Sequence, residues 1–294
     1  MAGVDLDVDA GEVVGVVGES GSGKTTLILA ALRLVPSPGR IVGGVVRLDG
    51  VDLRGLSPAK MRSRRGKAIA YVPQAAMSSL NPVMTVGAQI VESLDLHTDL
   101  TGRRASARVD EVLEMVELDT ATSRRYPHQL SGGMRQRAII AMALAPSPRL
   151  ILADEPTSGL DVLVRVQLLR LLRRLVAELD LALLVVSHDL PLVARWCDRA
   201  VVMYAGRVVE EGPAPALLTG ALHPYPQALA RSLPRLRGDD EPGPIPGEVP
   251  DLRRIPVGCA FAPRCRHAFD LCREKAPRLI AVDTHHVSCH LHGD

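Results

Sequence analysis

Nowhere in these 294 residues does an uninterrupted apolar run approach the ~18 residues that a bilayer span requires. The richest stretches, Ala138 to Ala145 and Leu168 to Val176, are short or broken by Arg170, Arg173 and Arg174, so no membrane-spanning helix is expected. Also missing is a basic N-terminal region followed by an apolar one. Asp5, Asp7 and Asp9 stand there instead, which excludes a secretory signal and leaves a cytosolic site of action as the expectation. Charge of one sign is not in excess either: 35 Lys and Arg against 33 Asp and Glu give a net +2, unlike the basic surplus of a nucleic-acid binder. No internal repeat and no sustained heptad array occurs.

What is present is ample apolar material, 47% of the chain, enough to bury one large domain with an appendage. The opening alternates Val4, Leu6 and Val8 as a strand does. A turn at Ala10 and Gly11 follows, then a buried strand from Val13 to Val17, a glycine-rich loop and a helix from Lys24 to Leu34. Further strands are expected at Val45 to Leu48 and Ala68 to Val72. Between 85 and 145 the period becomes helical, including Arg108 to Met115 and a long segment starting at Ser131. From Leu150 short strands return (Leu150 to Ala153, Ala182 to Ser187, Ala200 to Tyr204) around a helix from Val162 to Leu179. Strands alternating with helices predict a sheet with covered faces, hence an α/β fold. The stretch from Pro234 to Pro256, punctuated by prolines and charges, reads as an extended connector.

Gly18, Glu19, Ser20, Gly21, Ser22, Gly23, Lys24 and Thr25 fit the P-loop pattern in full, between a buried strand and a helix. The glycines let backbone N–H groups turn inward around phosphate oxygens, helped by the positive helix end. Lys24 is expected at the β- and γ-phosphates and the Thr25 hydroxyl on Mg²⁺, with Thr26 beside it. The strand Leu150 to Ala153 delivers two adjacent carboxylates to its carboxyl end, where ligands of open α/β sheets collect. Asp154 is expected to hold the Mg²⁺ shell. Glu155, turned elsewhere by strand alternation, is expected to orient or deprotonate the attacking water.

Leu130, Ser131, Gly132, Gly133, Met134, Arg135 and Gln136, lying between that loop and Asp154, resemble the signature sequence of the ABC ATPase family. Ser131 is a good N-cap, and the two glycines expose N–H groups at a helix start, a second anion site. The resemblance implies a P-loop NTPase core with a mixed sheet, a helical subdomain insertion and head-to-tail pairing. Each ATP would then lie between the P-loop of one subunit and the signature of the other, contacted by Ser131, Gly132, Gly133 and Gln136. It also implies that Gln74, after Tyr71, Val72 and Pro73, is a Q-loop residue contacting Mg²⁺ or water and facing membrane subunits. Asp161, closing Ser158, Gly159, Leu160, would reach across the dimer, and His188 would stabilise the γ-phosphate. By residue chemistry alone these three are also readable as an exposed Gln, a helix cap and a structural His.

His223, Pro224 and Tyr225, then Gly258, Cys259, Phe261, Arg264, Cys265, Ala268, Cys272 and Cys289, look like the C-terminal extension of oligopeptide, dipeptide and nickel importer ATPases. Met134 resembles the first of the two ATPases of such systems. Four of the five cysteines lie from Cys259 to Cys289, and in a cytosolic chain a metal or cluster explains them better than disulfides. A Cys₄ set suits a [4Fe–4S] cluster or Zn²⁺. The two-residue spacings of zinc ribbons are missing and the resemblance favours the cluster; free buried thiols are the remaining reading. His267, His285, His286 and His290 are readable as a further ligand or as solvated side chains, the latter being expected, and Cys197 is expected to be a core residue.

The expected organisation is a nucleotide-binding core over 1–84 and 146–221, a helical subdomain over 85–145 and the extension over 222–294. The expected activity is ATP hydrolysis driving uptake of peptides, or alternatively nickel or another small solute. The implied partners are two transmembrane permease subunits, a second ATPase (a related chain or a second copy) and, indirectly, an extracytoplasmic solute-binding protein. The implied place is the cytoplasmic face of the membrane, as a peripheral subunit, with no nucleic acid. Two rivals differ in class. A DNA-repair ABC-type ATPase would need long coiled coils between P-loop and signature, and a soluble ATPase of the phosphonate-breakdown type would need no membrane partner. One departure stands out: no Phe, Tyr or Trp precedes Tyr71 and only 17 residues precede Gly18, so adenine stacking is expected to be weak and nucleotide affinity lower than in a form extended upstream.

Overall fold

The computed structural model describes all residues except 2, 75–78, 233–242, 244, 249, 251–255 and 294. Most of the expected connector thus lies outside the described residues. The chain forms two compact units, one of residues 1–7, 14–27 and 187–294, the other of 8–13 and 28–186.

In the first unit, β1 (Val13–Val17) is buried along its whole length and pairs in parallel with β7 (Arg199–Tyr204), Val14 opposite Arg199. Gly15 faces α7 (Leu190–Trp196): a Cβ there would stand 2.3 Å from a Val193 methyl, so only glycine allows this approach. β7 pairs antiparallel with β8 (Arg207–Pro213), which pairs with β10 (His285–Val287), and β10 with β9 (Ile280–Val282). A bulge between Val202 and Met203 shifts the β7–β8 register. The mixture of parallel and antiparallel pairs matches the expected mixed sheet. Short helices α8 (Ala214–Thr219), α9 (Pro224–Arg231) and α10 (Asp270–Glu274) complete the unit.

The second unit carries β4 (Ile69–Val72), β5 (Leu150–Asp154) and β6 (Ala182–Ser187) as successive parallel neighbours, with Ile69 opposite Leu150 and Leu150 opposite Ala182. These runs are almost wholly apolar, as strands covered on both faces must be. The helices of this unit are α2 (Pro58–Arg64), α3 (Val86–His97), α4 (Gly102–Met115), α5 (Gly132–Leu144), which packs on β4, and α6 (Val162–Leu179). Val86, Ile90 and Leu94 of α3 and Val109, Val112 and Leu113 of α4 are buried at helical spacing. Asp161 caps the start of α6 by accepting from Val164 N–H at 3.0 Å, and Asp180, at φ 50°, ends it in the left-handed cap conformation.

Three expectations change. Val4, Leu6 and Val8 are half-buried in alternation with exposed neighbours, yet they form no strand: among the described residues nothing pairs with them. The strand expected from Val45 shrinks to β2 (Arg47–Leu48), which forms a two-stranded ribbon with β3 (Val51–Asp52). The first helix, α1 (Lys24–Ala31), ends early because Arg33 turns to φ 52°.

Candidate functional site

The loop after β1 is built by its backbone. Gly21 and Gly23 hold φ +80° and +103°, and a Cβ on Gly18 would lie 2.3 Å from the Met203 carbonyl oxygen. Ser22 N–H donates to the Glu19 carbonyl at 3.1 Å, and the Ser22 carbonyl accepts from Gly206 N–H at 2.9 Å, pinning the loop to the β7–β8 turn. Lys24, 7% exposed, opens α1 and donates from Nζ to the carbonyls of Gly18 (2.7 Å) and Glu19 (3.0 Å). The buried Ser22 hydroxyl has no hydrogen-bond partner within the protein, so a polar group is ready for an anion here. Ser20, Thr25 and Thr26 are exposed. The glycine cradle, the lysine and this unspent hydroxyl fit a phosphate chain.

Asp154 ends β5 with only 1% exposure, and its negative charge adds to the effect of burial in raising the Tyr71 phenol pKa. A buried carboxylate at a strand end is the hard oxygen donor that Mg²⁺ prefers. Glu155 lies just outside the strand at φ 46°, so a left-handed backbone, and not strand alternation as expected, sets its direction. Such a conformation costs about 1–3 kcal/mol in a non-glycine residue and gathers at functional sites. Its N–H is held by the Val186 carbonyl at 3.0 Å, and its carboxylate accepts from Gln74 Nε2 at 3.1 Å. Two residues 81 positions apart, both expected at the chemistry, therefore meet.

Ser131 caps α5 by accepting from Met134 N–H at 3.3 Å, leaving Gly132 and Gly133 in the first turn. Gly133 is sterically required, since a Cβ would come within 2.7 Å of a Val164 methyl on α6. Gln136 is buried on the same helix, and its Nε2 has no hydrogen-bond partner. Asp161 caps α6 through its Oδ1. His188 follows β6 with an exposed side chain, ahead of Asp189, which caps α7 by accepting from Leu192 N–H at 3.0 Å.

In the tail, Cys259, Cys265, Cys272 and Cys289 line one small cavity together with Phe261 and His290. A Cβ on Gly258 would stand 2.4 Å from the Cys272 carbonyl oxygen, and Cys259 N–H donates to that oxygen at 2.8 Å, so glycine lets the segment lie against α10. Burial pushes the Cys259 thiol up to about 11 and raises those of Cys265 and Cys289, so these three thiols are protonated at neutral pH. The sulfurs converge, yet among the described residues no group of three or more His, Cys, Asp or Glu stands ready to hold a metal ion. The four residues expected as a Cys₄ set thus share one cavity as free thiols. Cys197 is a buried core residue, as expected.

The histidines correct one expectation. His285 is not solvated: its Nδ1 lies 2.7 Å from the carboxylate of Glu210, which is 0% exposed and also accepts from the N–H groups of Leu222 (2.8 Å) and His223 (2.7 Å). A fully buried carboxylate requires such partners. His290 faces the thiol cavity, whereas His267 and His286 are exposed. Sequence reasoning also missed a cluster behind the loop. Tyr204, Tyr225 and Phe261 pack ring to ring, with centroids 4.6–5.3 Å apart. Glu19 and Arg264 meet beside them. Nothing local in the sequence signals a pairing across 245 positions.

Residues 1–158 match the family described as ABC transporter, and residues 209–272 match the oligopeptide/dipeptide transporter C-terminal region. The chain is 45% identical over 293 residues to the "Probable peptide ABC transporter ATP-binding protein y4tR" of Sinorhizobium fredii, covering 98% of this chain and 88% of that one. Among solved structures, the dimeric post-hydrolysis state of the ATP-binding cassette MJ0796 bound to ADP and Pi aligns with a TM-score of 0.63 at 30% identity. It covers 72% of this chain and 89% of that one. The protein cbiO1 from Clostridium perfringens, part of the ABC transporter complex cbiONQ, aligns with a TM-score of 0.65 at 25% identity, over 74% and 83%.

Proposed function

The chain belongs to the ABC transporter family as an ATP-hydrolysing subunit, and on that premise we propose that it powers peptide import through two separate permease subunits. The observation that carries this reading is one chain holding both the phosphate loop and the cysteine tail that matches the oligopeptide/dipeptide transporter region. The alternative solutes are nickel or another small molecule. The core spans 1–84 and 146–221, the helical subdomain 85–145 and the extension 222–294. The subunit sits on the cytoplasmic face of the membrane, paired with a related ATPase or a second copy, and served by an extracytoplasmic solute-binding protein.

The N–H groups of Gly18 to Gly23, with Lys24, would hold the phosphates; Thr25, Asp154 and Gln74 would supply the oxygens for Mg²⁺, and Thr26 would support the loop. When bound, Mg²⁺ neutralises charge that develops on the phosphate oxygens. Glu155 aligns the attacking water and takes its proton. The 3.1 Å bond from Gln74 supports this by fixing that carboxylate in advance of substrate. His188 donates to the γ-phosphate. Ser131, Gly132, Gly133, Gln136 and Asp161 serve the nucleotide held by the opposing subunit. Two ATP close the pair, and hydrolysis with release reopens it, driving the permease.

In the tail, Cys259, Cys265, Cys272 and Cys289 would form the ligand set of a [4Fe–4S] cluster, with Zn²⁺ as the alternative occupant. Their convergence on one cavity supports this. Protonated thiols must lose their protons to bind either one. Anaerobically purified protein that is brown and contains iron agrees; a colourless, iron-free sample removes the cluster.

The test of the whole reading is reconstitution with the permease partners and measurement of ATP-dependent uptake of peptides against Ni²⁺. Peptide uptake that stops without ATP agrees with the proposal. Uptake of Ni²⁺ alone assigns the alternative solute, and no transport with intact ATP hydrolysis refutes the transport role.

A further inference from the structure

The phosphate loop is held from behind by the tail. Glu19, the first variable position of that loop, receives two charge-assisted bonds from one guanidinium: Arg264 Nη1 to Oε2 at 2.6 Å and Nη2 to Oε1 at 3.1 Å. The Arg264 side chain is 4% exposed and that of Glu19 23%, so this is not a solvated surface pair. The remaining donors of Arg264 are also directed: Nε to the Pro246 carbonyl at 2.9 Å, and Nη1 to the Tyr204 hydroxyl at 3.3 Å. The backbone of the same loop residue is held too. Glu19 N–H donates to the Tyr225 hydroxyl at 2.8 Å.

These groups share one support. Arg264 closes the short turn Ala262–Arg264, immediately before Cys265. Phe261, the cap of that turn, lines the thiol cavity and packs against both Tyr204 and Tyr225. A shift of the turn therefore moves the guanidinium and the rings that aim the Tyr225 hydroxyl. At its other end Glu19 offers its carbonyl to Lys24 Nζ at 3.0 Å. Side chain, N–H and carbonyl of one loop residue thus link the tail to the lysine of the phosphate cradle.

We infer that Arg264 is a positioning residue for the phosphate loop, acting through Glu19 and seconded by Tyr225, so that the cysteine-bearing tail sets nucleotide affinity. The inference rests on the reading of Gly18 to Thr25 as the nucleotide loop. Arg264 acts on the loop, whose curvature it fixes, through Glu19 and not as a phosphate ligand. A fixed bidentate fork suits this task better than the point charge of lysine.

The test is equilibrium binding of Mg·ATP to the full chain, for wild type, Arg264→Ala, Arg264→Lys, Glu19→Ala, the Arg264→Ala/Glu19→Ala pair, Tyr225→Phe and Lys24→Ala, each checked for native circular dichroism at the assay temperature. Loss of a bidentate charged pair is expected to raise the Kd about tenfold in Arg264→Ala, and the double variant is expected to be no weaker than either single one. Arg264→Lys is expected to recover part of that loss, and Tyr225→Phe to raise the Kd about threefold. A folded Arg264→Ala that binds within about twofold of wild type overturns the inference, and so do single effects that multiply in the double variant. If Arg264→Ala does not fold, Tyr225→Phe and Arg264→Lys decide by the same criterion. Lys24→Ala separates the two levels: lost binding there with unchanged Arg264 and Tyr225 variants sinks only the latch, whereas wild-type affinity there sinks the loop reading and the latch with it.

Discussion

The phosphate loop and the cysteine cavity belong to the same compact unit, yet they are specified in opposite ways. The loop is eight consecutive residues, and its shape comes from the backbone: two glycines at positive φ and one at a carbonyl approach that no Cβ could share. The cavity is drawn from four cysteines spread between Cys259 and Cys289, and its shape comes from side-chain packing around Phe261 and from the Gly258 approach to α10. A backbone cradle tolerates little change at its own positions. A packed cavity is the reverse, because its parts are individually replaceable and jointly dependent on the fold.

Substitutions should separate the two along that line. The largest effect is expected on the backbone side: Lys24→Ala removes the cation of the cradle and should cut hydrolysis by on the order of a hundredfold or more, while thermal unfolding shifts little. A large drop in Tm with preserved turnover would break the comparison. Next is Gly133→Ala. A methyl within 2.7 Å of the Val164 side chain overpacks the α5–α6 contact, at a cost of about 1–3 kcal/mol by chemical denaturation. Because the same turn carries the proposed second anion site, ATP-driven pairing should weaken as well, read by size-exclusion chromatography with a hydrolysis-deficient background.

On the packed side the effects are smaller and show in stability. His223 is buried, and the cost of burying its charge, with a smaller contribution from His292, lowers its pKa to about 3. The unfolded chain therefore binds the proton that the folded one refuses, so stability is full above about pH 6.5 and is lost as pH falls toward 3. His223→Asn keeps an acceptor for the Tyr225 N–H, now 2.9 Å from Nδ1, and should flatten this acid limb in Tm measured from pH 7 to 4. An unchanged limb would contradict the assignment. Smallest on turnover is Cys272→Ala, which should cost a few degrees of Tm while leaving hydrolysis at saturating ATP within about threefold of wild type.

The same contrast explains what the sequence reveals. The helix Val162–Leu179 and the strand Ala182–Ser187 are legible to the residue, because Asp161 and Asp180 cap the one and an unbroken apolar run makes the other. The loop and the carboxylates at the end of β5 are legible because their chemistry is contiguous. β9 and β10, three residues each, carry no period, and β8 hides in a run that reads as a turn and a charged segment. Val4 to Val8 shows the opposite failure, with a correct alternation that finds no ladder. Glu155 points where it does because of a left-handed backbone, which residue spacing does not report. The Glu210–His285 pair and the Arg264–Glu19 fork join residues 75 and 245 positions apart, and only the folded chain brings them together.

The central claim is that this chain cleaves Mg·ATP with Glu155 as the group that prepares water. The most direct measurement is ATP hydrolysis by the reconstituted assembly with wild-type chain and with Glu155→Gln, alongside nucleotide retained by each. The account predicts a loss of turnover of about a hundredfold or more in the variant, with ATP still bound and the ATPase pair held closed. Hydrolysis by Glu155→Gln at the wild-type rate would contradict it.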